Sequence, residues 1–246
     1  MAIITLAPGY IESPHLAATL KTQGYGVLSP GELVSLIGHP LSELESLQAD
    51  WDELPLDNFL KDGGRYRRRR HSCFIANTQS LIQVPHRAHY QPLAYNALHG
   101  GMHRLFEPIA SHTLQQAVWQ ELILAIGRVC SSVRGEQPWY VEAHQFRIDT
   151  KNGIGRPTPE GAHRDGVDFV AILLVSRKNV SGGESRIFEA EGPNGQRFTL
   201  SEPWTLLLLD DQRVIHESTP IQPTGEGGHR DTLVLTFRAG GFLEQT

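Results

Sequence analysis

The second half of the chain is a succession of short β-type segments, and this pattern restricts the fold more than any other feature. From Trp139 onwards these segments read WYVEAHQFRID, DFVAILLVS, SRIFEA, QRFTL, WTLLLLD, RVIHES and DTLVLTFRA. Clusters of Gly, Pro, Asn and Asp separate them, which is typical of strands joined by turns. Many short strands with irregular connections indicate a barrel or jelly roll rather than a parallel βαβ sheet. We therefore expect a mainly β fold.

The residues before this region have a more helical and irregular pattern. Ser29 precedes a proline and is followed three positions later by Glu32, which predicts a capped helix over LVSLIG. Between residues 111 and 133, apolar residues recur at spacings of three and four, which predicts one amphipathic helix. The segment GYGVL suggests a short strand between helices. These helices are expected to flank the β core.

The chain shows no internal repeat and no linker, so we expect one domain over residues 1–246. Residues 1–135 form its mostly helical or irregular front part. Residues 136–246 form the jelly-roll core, where the candidate metal ligands discussed below also lie.

The composition excludes several classes of function. A formal net charge of −5 argues against general nucleic-acid binding, which requires a basic surface. The longest apolar runs, FVAILLV and TLLLL, have the length of strands and are far shorter than a membrane span. The first residues do not read as a signal peptide, and the two cysteines form no disulfide framework. We expect a cytoplasmic protein that acts on a small molecule and not on a membrane.

The stretch EGAHRDGVDF places His163 and Asp165 directly before a strand-like apolar run. Residues two apart in an extended segment project to the same side, so this pair can bind one ion. His216 is the best-placed third ligand, because it ends a β-type segment just before the turn residues Ser-Thr-Pro. Two histidines and one carboxylate on one side of a metal are typical of non-haem Fe(II) oxygen chemistry.

A second constellation follows the distal histidine. Arg230 opens the last strand-like segment, and Thr232 lies two residues further on the same side. A fixed guanidinium with a neighbouring hydroxyl suits the far end of a dicarboxylate, because arginine binds carboxylates through two parallel hydrogen bonds. Arg238 is the alternative anchor, but its place after the strand LVLTF favours a surface position.

The order of these pieces resembles the Fe(II)- and 2-oxoglutarate-dependent dioxygenases. The H-x-D pair is followed by SGGESRIF, then by the distal histidine and then by R-x-T. The resemblance implies a double-stranded β-helix (jelly-roll or cupin-like) core, and Fe(II), 2-oxoglutarate and O2 as cofactors. It also implies that His163, Asp165 and His216 bind iron and form the catalytic centre, and that Arg230 anchors the distal carboxylate of 2-oxoglutarate.

Three further segments resemble a narrower bacterial group, which contains L-isoleucine 4-hydroxylase and its biofilm-associated relatives. These segments are DGGRYRRRRHSCF (62–74), HYQPLAYNALHGGMHRLFEPI (89–109) and HRDGVDFV (163–170). The resemblance implies that the chain hydroxylates an unactivated C–H bond of a free L-amino acid or a close derivative.

Several other polar residues are candidates for substrate binding. Gln145 and Arg147 share one face of the predicted strand 139–149 and can recognise a small zwitterion, although a solvated face explains them equally well. Asp168 can pair with a substrate ammonium group or hold a local turn. The remaining histidines, including the pairs HRAH and HGGMH, are interpreted as surface or structural residues.

The basic run from Arg65 to Arg70 allows several interpretations. Its arginines can lie along an exposed strand, face inward to carboxylates or bind nucleic acid, the last of which the net charge disfavours. A further alternative is that Arg65 or Arg67 binds an anionic substrate.

Two other classes of function remain open at this stage. One is a hydrolase or isomerase with Zn(II) or Mn(II) in the same ligand set, which leaves Arg230 without a role. The other is a non-catalytic jelly-roll protein that regulates or binds and keeps a metal for structural reasons.

Overall fold

A computed structural model describes residues 6–244 of the chain. Its helices are α1 (Leu16–Gln23), α2 (Pro30–Ile37), α3 (Leu41–Ser46), α4 (Ser111–Leu114) and α5 (Ala117–Arg134), with 3-10 turns at Ser13–His15 and Gln48–Glu53. The strands are β1 (Tyr25–Leu28), β2 (Arg67–Ala76), β3 (Leu81–Gln83), β4 (Trp139–Asp149), β5 (Phe169–Lys178), β6 (Val180–Gly182), β7 (Ser185–Glu189), β8 (Gly195–Phe198), β9 (Leu206–Asp210), β10 (Val214–Ser218), β11 (Ile221–Pro223) and β12 (His229–Ala239).

The strands form one large and two small sheets. The large sheet has seven strands in the order β1-β9-β5-β12-β4-β2-β3, and its neighbours pair antiparallel. A three-stranded sheet follows the order β10-β7-β8, and β11 pairs with β6. The expected mainly β architecture with flanking helices, consistent with a jelly roll, is confirmed.

The front part of the chain contributes more to the large sheet than its sequence indicated. Strands β1, β2 and β3 all precede residue 135, and β2 pairs with β4 from Arg67↔Ile148 to Ala76↔Trp139. The front part, expected to be mostly helical or irregular, therefore also supplies three strands to the large sheet. Charged residues in β2 hid this strand, because four consecutive arginines do not show the apolar alternation that identifies a strand.

One of the two helix predictions is confirmed in its N-terminal cap, and the other differs from the structure. The hydroxyl of Ser29 accepts a hydrogen bond from the backbone N–H of Glu32 (3.3 Å), so the predicted cap forms. The Glu32 carboxylate instead accepts from the N–H of Ser13 (2.7 Å) and joins α2 to the preceding turn. The single helix expected from residue 111 is two helices, because the chain leaves helical geometry at Gln116.

The two faces of the large sheet have different roles, because side chains alternate along each strand. On β12, Leu233 and Phe237 pack with Ile123 of α5 in one apolar cluster. Arg230 and Thr232 of the same strand point to the other face and line a deep cavity. No helix within residues 6–244 is both long and apolar enough to cross a membrane.

The three-stranded sheet covers the cavity from the opposite side. Ile187 of β7 and His216 of β10 line it, and Ile187 also packs against Val170 and Leu207 of the large sheet. The cavity therefore lies between the two sheets.

Candidate active site

Three side chains expected to bind a metal come together on the cavity wall. Nε2 of His163 lies 3.7 Å from one carboxylate oxygen of Asp165, and Nε2 of His216 lies 3.6 Å from the other. The two imidazole centroids are 4.7 Å apart. Bonds from a metal to nitrogen or oxygen are about 2.0–2.2 Å long, so donors at these separations can reach one ion. The donor set of two imidazoles and one carboxylate suits Fe(II).

Hydrogen bonds orient two of these side chains. Nδ1 of His163 lies 2.9 Å from the backbone oxygen of Gly161, to which it donates, and this leaves the lone pair of Nε2 free for an ion. The side-chain amide of Gln91 donates to Asp165 Oδ1 (3.1 Å). Both hydrogen bonds fix the orientation of the metal-binding atoms before an ion is bound.

The H-x-D pair lies in the loop before β5 and not in an extended strand, which differs from the sequence-based expectation. The loop is instead fixed to β10 by two backbone bonds, His163 N–H to His216 O (3.0 Å) and His216 N–H to His163 O (2.9 Å). This pairing joins two ligands that are far apart in the sequence, which local periodicity cannot predict.

A buried carboxylate shapes the same loop. Asp211 accepts hydrogen bonds from the backbone N–H groups of Asp165, Gly166 and Val167. Burial, together with the charge of Asp165, raises the pKa of Asp211 to about 7. Gly166 has φ +80°, and a Cβ there would lie 2.5 Å from the ring of Tyr95, so the sharp turn after the pair requires glycine.

The three candidate ligands perturb one another electrostatically. Burial lowers the pKa of His163, but the hydrogen bond and charge of Asp165 outweigh it and raise this pKa to about 9. Burial and the charge of His163 lower the pKa of His216 to about 4. Burial raises the pKa of Asp165, but the two histidines reverse this and keep it ionised. A cation would replace the proton that these groups share.

The expected 2-oxoglutarate anchor lies in the same cavity. Arg230 is only 4% exposed, and its Nε is buried without a hydrogen-bond partner among the described residues. Thr232 lines the cavity beside it. Burial and the charge of Arg177 lower the pKa of Arg230 to about 10, and the charge of Asp231 offsets this only in part. Arg238, the alternative, donates to the backbone oxygens of Gly241 and Phe242 at the other end of β12.

A second group of potential ligands lies on the cavity-facing side of β2 and β4. Nδ1 of His89 is 2.7 Å from the Glu142 carboxylate, and Nε2 of His71 and of His144 are 3.7 and 3.8 Å from it. Arg69 donates to Nδ1 of His144 (2.9 Å), and a guanidinium can only donate. The proton of His144 is therefore on Nε2, which faces Glu142 and cannot bind a metal in this form.

This arrangement predicts one metal ion per chain. The guanidinium of Arg69 repels a cation at the second group, whereas no described ion pair links an arginine to the first. We expect anaerobic titration with Fe(II) to saturate at one equivalent, and the Glu142→Gln protein to bind the same amount. Two equivalents, or a loss of iron on this substitution, would contradict the assignment.

The expected substrate residues lie outside the cavity. Gln145 is fully buried on the helix-facing side of β4, and Arg147 forms ion pairs with Asp231 (2.7 Å) and Asp52 (2.8 Å). The carboxylate of Asp168 accepts from the N–H of Ala239 and the amide of Gln212, so it holds a turn. The cavity-facing set on β4 is the other one, Glu142, His144, Phe146 and Ile148.

The arginine run alternates along β2. Arg68 and Arg70 point outward, towards Asp149 (3.6 Å) and Glu107 (3.2 Å), whereas Arg67 and Arg69 are buried and line the cavity. Arg65 precedes the strand and is exposed. Sequence reasoning missed Arg69. It also missed several cavity residues that come from the irregular segment after β3, namely His89, Gln91, Asn96 and Arg104.

Known proteins share this fold. A BsmA homolog from Methylobium petroleophilum PM1 is 50% identical, with both chains covered completely and a TM-score of 0.93. IDO from Bacillus thuringiensis has a TM-score of 0.76 at 20% identity, covering 95% of this chain and 100% of its own. The Fe(II)/α-ketoglutarate-dependent dioxygenase TqaL has a TM-score of 0.70 at 20% identity, covering 92% and 86%. No curated protein sequence matches the chain.

The family model for 2OG-Fe dioxygenases matches residues 48–236, which include the H-x-D pair, the distal histidine and the buried arginine of β12. The match decides between the classes left open by the sequence, because this family is made up of dioxygenases that use Fe(II), 2-oxoglutarate and O2. The chain belongs to the 2OG-Fe dioxygenase family and is a 2-oxoglutarate-dependent dioxygenase.

Proposed function

We propose that this dioxygenase hydroxylates an unactivated C–H bond of a free L-amino acid, as the L-isoleucine 4-hydroxylase group does. The observation that carries the proposal is that one cavity contains the His163/Asp165/His216 group, Arg230 and further buried charges of both signs. Residues 1–246 act in this proposal as a single dioxygenase domain, since both parts of the chain supply strands to the large sheet.

In this proposal His163, Asp165 and His216 bind Fe(II). Iron held there, with 2-oxoglutarate and O2, would supply the oxidising power for the hydroxylation. Arg230, with Thr232 beside it, would hold the distal carboxylate of 2-oxoglutarate. The protein fixes the relative positions of these groups and excludes bulk water from the site.

The choice of an amino acid rests on the charges of the cavity and on the sequence resemblance. Glu160 lines the cavity, and its Oε2 is buried without a partner among the described residues. Its other oxygen, Oε1, accepts from the Asn96 amide (3.5 Å) and lies 3.6 Å from His163 Nε2. Oε2 is therefore the oxygen left for a substrate ammonium group, since a buried acceptor without a donor is unfavourable.

A screen of the standard L-amino acids tests the proposal. Each is incubated with the protein, Fe(II), 2-oxoglutarate and O2, and succinate is measured together with the mass of the amino acid. We expect one amino acid or a few related ones to raise succinate formation well above the uncoupled rate and to gain one oxygen atom. If 2-oxoglutarate binds and no amino acid has this effect, the substrate belongs to another class.

A further inference from the structure

Two arginines in the cavity have no role in binding iron or 2-oxoglutarate. Arg69 lies on β2, and Arg104 lies in the irregular segment between β3 and α4. They are 4% and 2% exposed, and both line the cavity. Phe106 lies between them, 4.0 Å from the guanidinium carbon of Arg69 and 6.0 Å from that of Arg104. Two segments distant in sequence therefore bring two cations to one place.

Neither cation forms an ion pair with a carboxylate among residues 6–244, although a fully buried charge normally has such a partner. Arg67, their neighbour, is neutralised by Asp57 at 2.7 Å. Glu142, another carboxylate whose charge reaches both arginines, is held by three imidazoles. Nε of Arg69 and Nε of Arg104 are both buried without a hydrogen-bond partner among the described residues.

Leaving buried guanidinium groups unpaired is energetically unfavourable. Burial and the charge of Arg67 lower the pKa of Arg104 to about 10, and burial and the charge of Arg104 lower that of Arg69 strongly. The charges of Asp57, Glu142 and Glu160 offset the burial of these guanidinium groups only in part. Because a buried charge without a close partner is destabilising, the site favours a further anion.

The geometry around Arg69 suits a planar anion. Its guanidinium is held against Phe106 and Phe146 (4.0 and 4.6 Å) and donates to His144 Nδ1, so its direction is fixed before binding. A fixed guanidinium recognises a carboxylate through parallel hydrogen bonds, and a second guanidinium adds to this. Because the distal carboxylate of 2-oxoglutarate is assigned to Arg230, the anion bound here is part of the substrate.

We propose that Arg69 and Arg104 bind the carboxylate group of the substrate and thereby restrict the enzyme to substrates with a free carboxylate. This rests on the proposed function only in that the small molecule hydroxylated is the one whose carboxylate is bound. It does not require an amino group, so it also covers 2-hydroxy acids and N-acylated amino acids.

The test compares carboxylic acids with their primary amides. The protein is loaded with Fe(II) and 2-oxoglutarate without oxygen, and binding of L-amino acids, their N-acetyl derivatives and 2-hydroxy acids is measured by calorimetry. We expect the best acid to bind the unmodified protein about 100-fold more tightly than its amide, as is typical when a buried charged partner is lost. Arg69→Met and Arg104→Met should bind acid and amide almost equally, and their affinity for 2-oxoglutarate should be unchanged.

Arg70→Met is the matched control, since Arg70 is the next arginine on the same strand and points away from the cavity. It should retain the full preference for the acid. Arg104→Met should also raise the unfolding midpoint of the substrate-free protein by at least about 2 °C, because methionine removes an uncompensated buried charge. If Arg69→Met does not fold, the affinities for acid and amide are compared in Arg104→Met alone.

The outcomes separate this inference from the proposed function. If amino acids do not bind but another acid does, and its advantage over the amide is lost in both variants, the amino-acid proposal fails and the carboxylate site stands. If acid and amide bind the unmodified protein equally, or the variants keep the preference, the carboxylate site is wrong. Weakened 2-oxoglutarate binding in Arg69→Met would assign this pair to the co-substrate and would also overturn the inference.

Discussion

Replacing His216 with alanine is expected to abolish both iron binding and substrate-linked succinate formation. Substitutions of groups that only orient a ligand typically reduce metal affinity by about 10- to 100-fold. Loss of the ligand itself should therefore reduce Fe(II) affinity by more than about 100-fold. His216 supplies one of three donors within 4.8 Å of one another, and the remaining two form an incomplete set. Metal content after desalting and succinate release are the two measurements.

The control for this substitution is His15→Ala, because the side chain of His15 is 70% exposed and lies far from the cavity residues in sequence. His163→Ala and Asp165→Ala should behave as His216→Ala does. Full activity in any one of the three proteins would remove that residue from the iron site.

Replacing Arg230 with methionine is expected to weaken 2-oxoglutarate binding by about 100-fold, which corresponds to about 2.7 kcal/mol. Methionine keeps much of the volume of the side chain, so the effect reports the lost charge and hydrogen bonds. The turnover rate at saturating 2-oxoglutarate should fall much less, because the iron ligands are unchanged. The measurement is the dependence of succinate formation on 2-oxoglutarate concentration.

Arg238→Met provides the comparison on the same strand, since Arg238 donates to backbone oxygens of Gly241 and Phe242. This variant should keep the affinity of the unmodified protein for 2-oxoglutarate. Normal affinity in Arg230→Met with weakened binding in Arg238→Met would exchange the two assignments.

Much of the fold could be predicted from the sequence, because it depends on local patterns. The members of the first group of candidate ligands could be named in the same way, but the backbone pairing that joins His163 to His216 could not. The strand segments after Trp139 have apolar residues and turn signals that do not depend on the rest of the chain. The distal histidine was identified by its place at the end of one of these segments, and β10 does end just after it, at Ser218. Arg230 was identified by its place at the start of the last one.

The substrate side of the cavity could not be predicted in the same way. Alternation on β4 correctly placed Gln145 and Arg147 on one face, but it did not reveal which face meets the cavity. The sequence did contain an indication of which face is buried against the helices. Val141 and Ala143 lie on the same face of β4 as Gln145, and both belong to the apolar core. An apolar continuation favours packing against helices, so the face of His144 was the better candidate.

Local sequence patterns could not identify Arg104 and His89 as cavity residues. They belong to a segment without regular secondary structure, apart from a backbone bridge between these two residues. Such a segment takes its position from contacts with β2 and β4, which are themselves distant in sequence. Its polar residues therefore become candidates for the site only once the tertiary structure is known.

Anaerobic titration with Fe(II) and 2-oxoglutarate tests the central claim most directly, because it reports the assembled site without turnover. We expect a weak visible charge-transfer band that appears only when both are present and saturates at one equivalent of iron per chain. The band should be absent from Asp165→Ala and should need far more 2-oxoglutarate in Arg230→Met. A band of full intensity in Asp165→Ala, or none in the unmodified protein, would contradict the assignment of the three ligands.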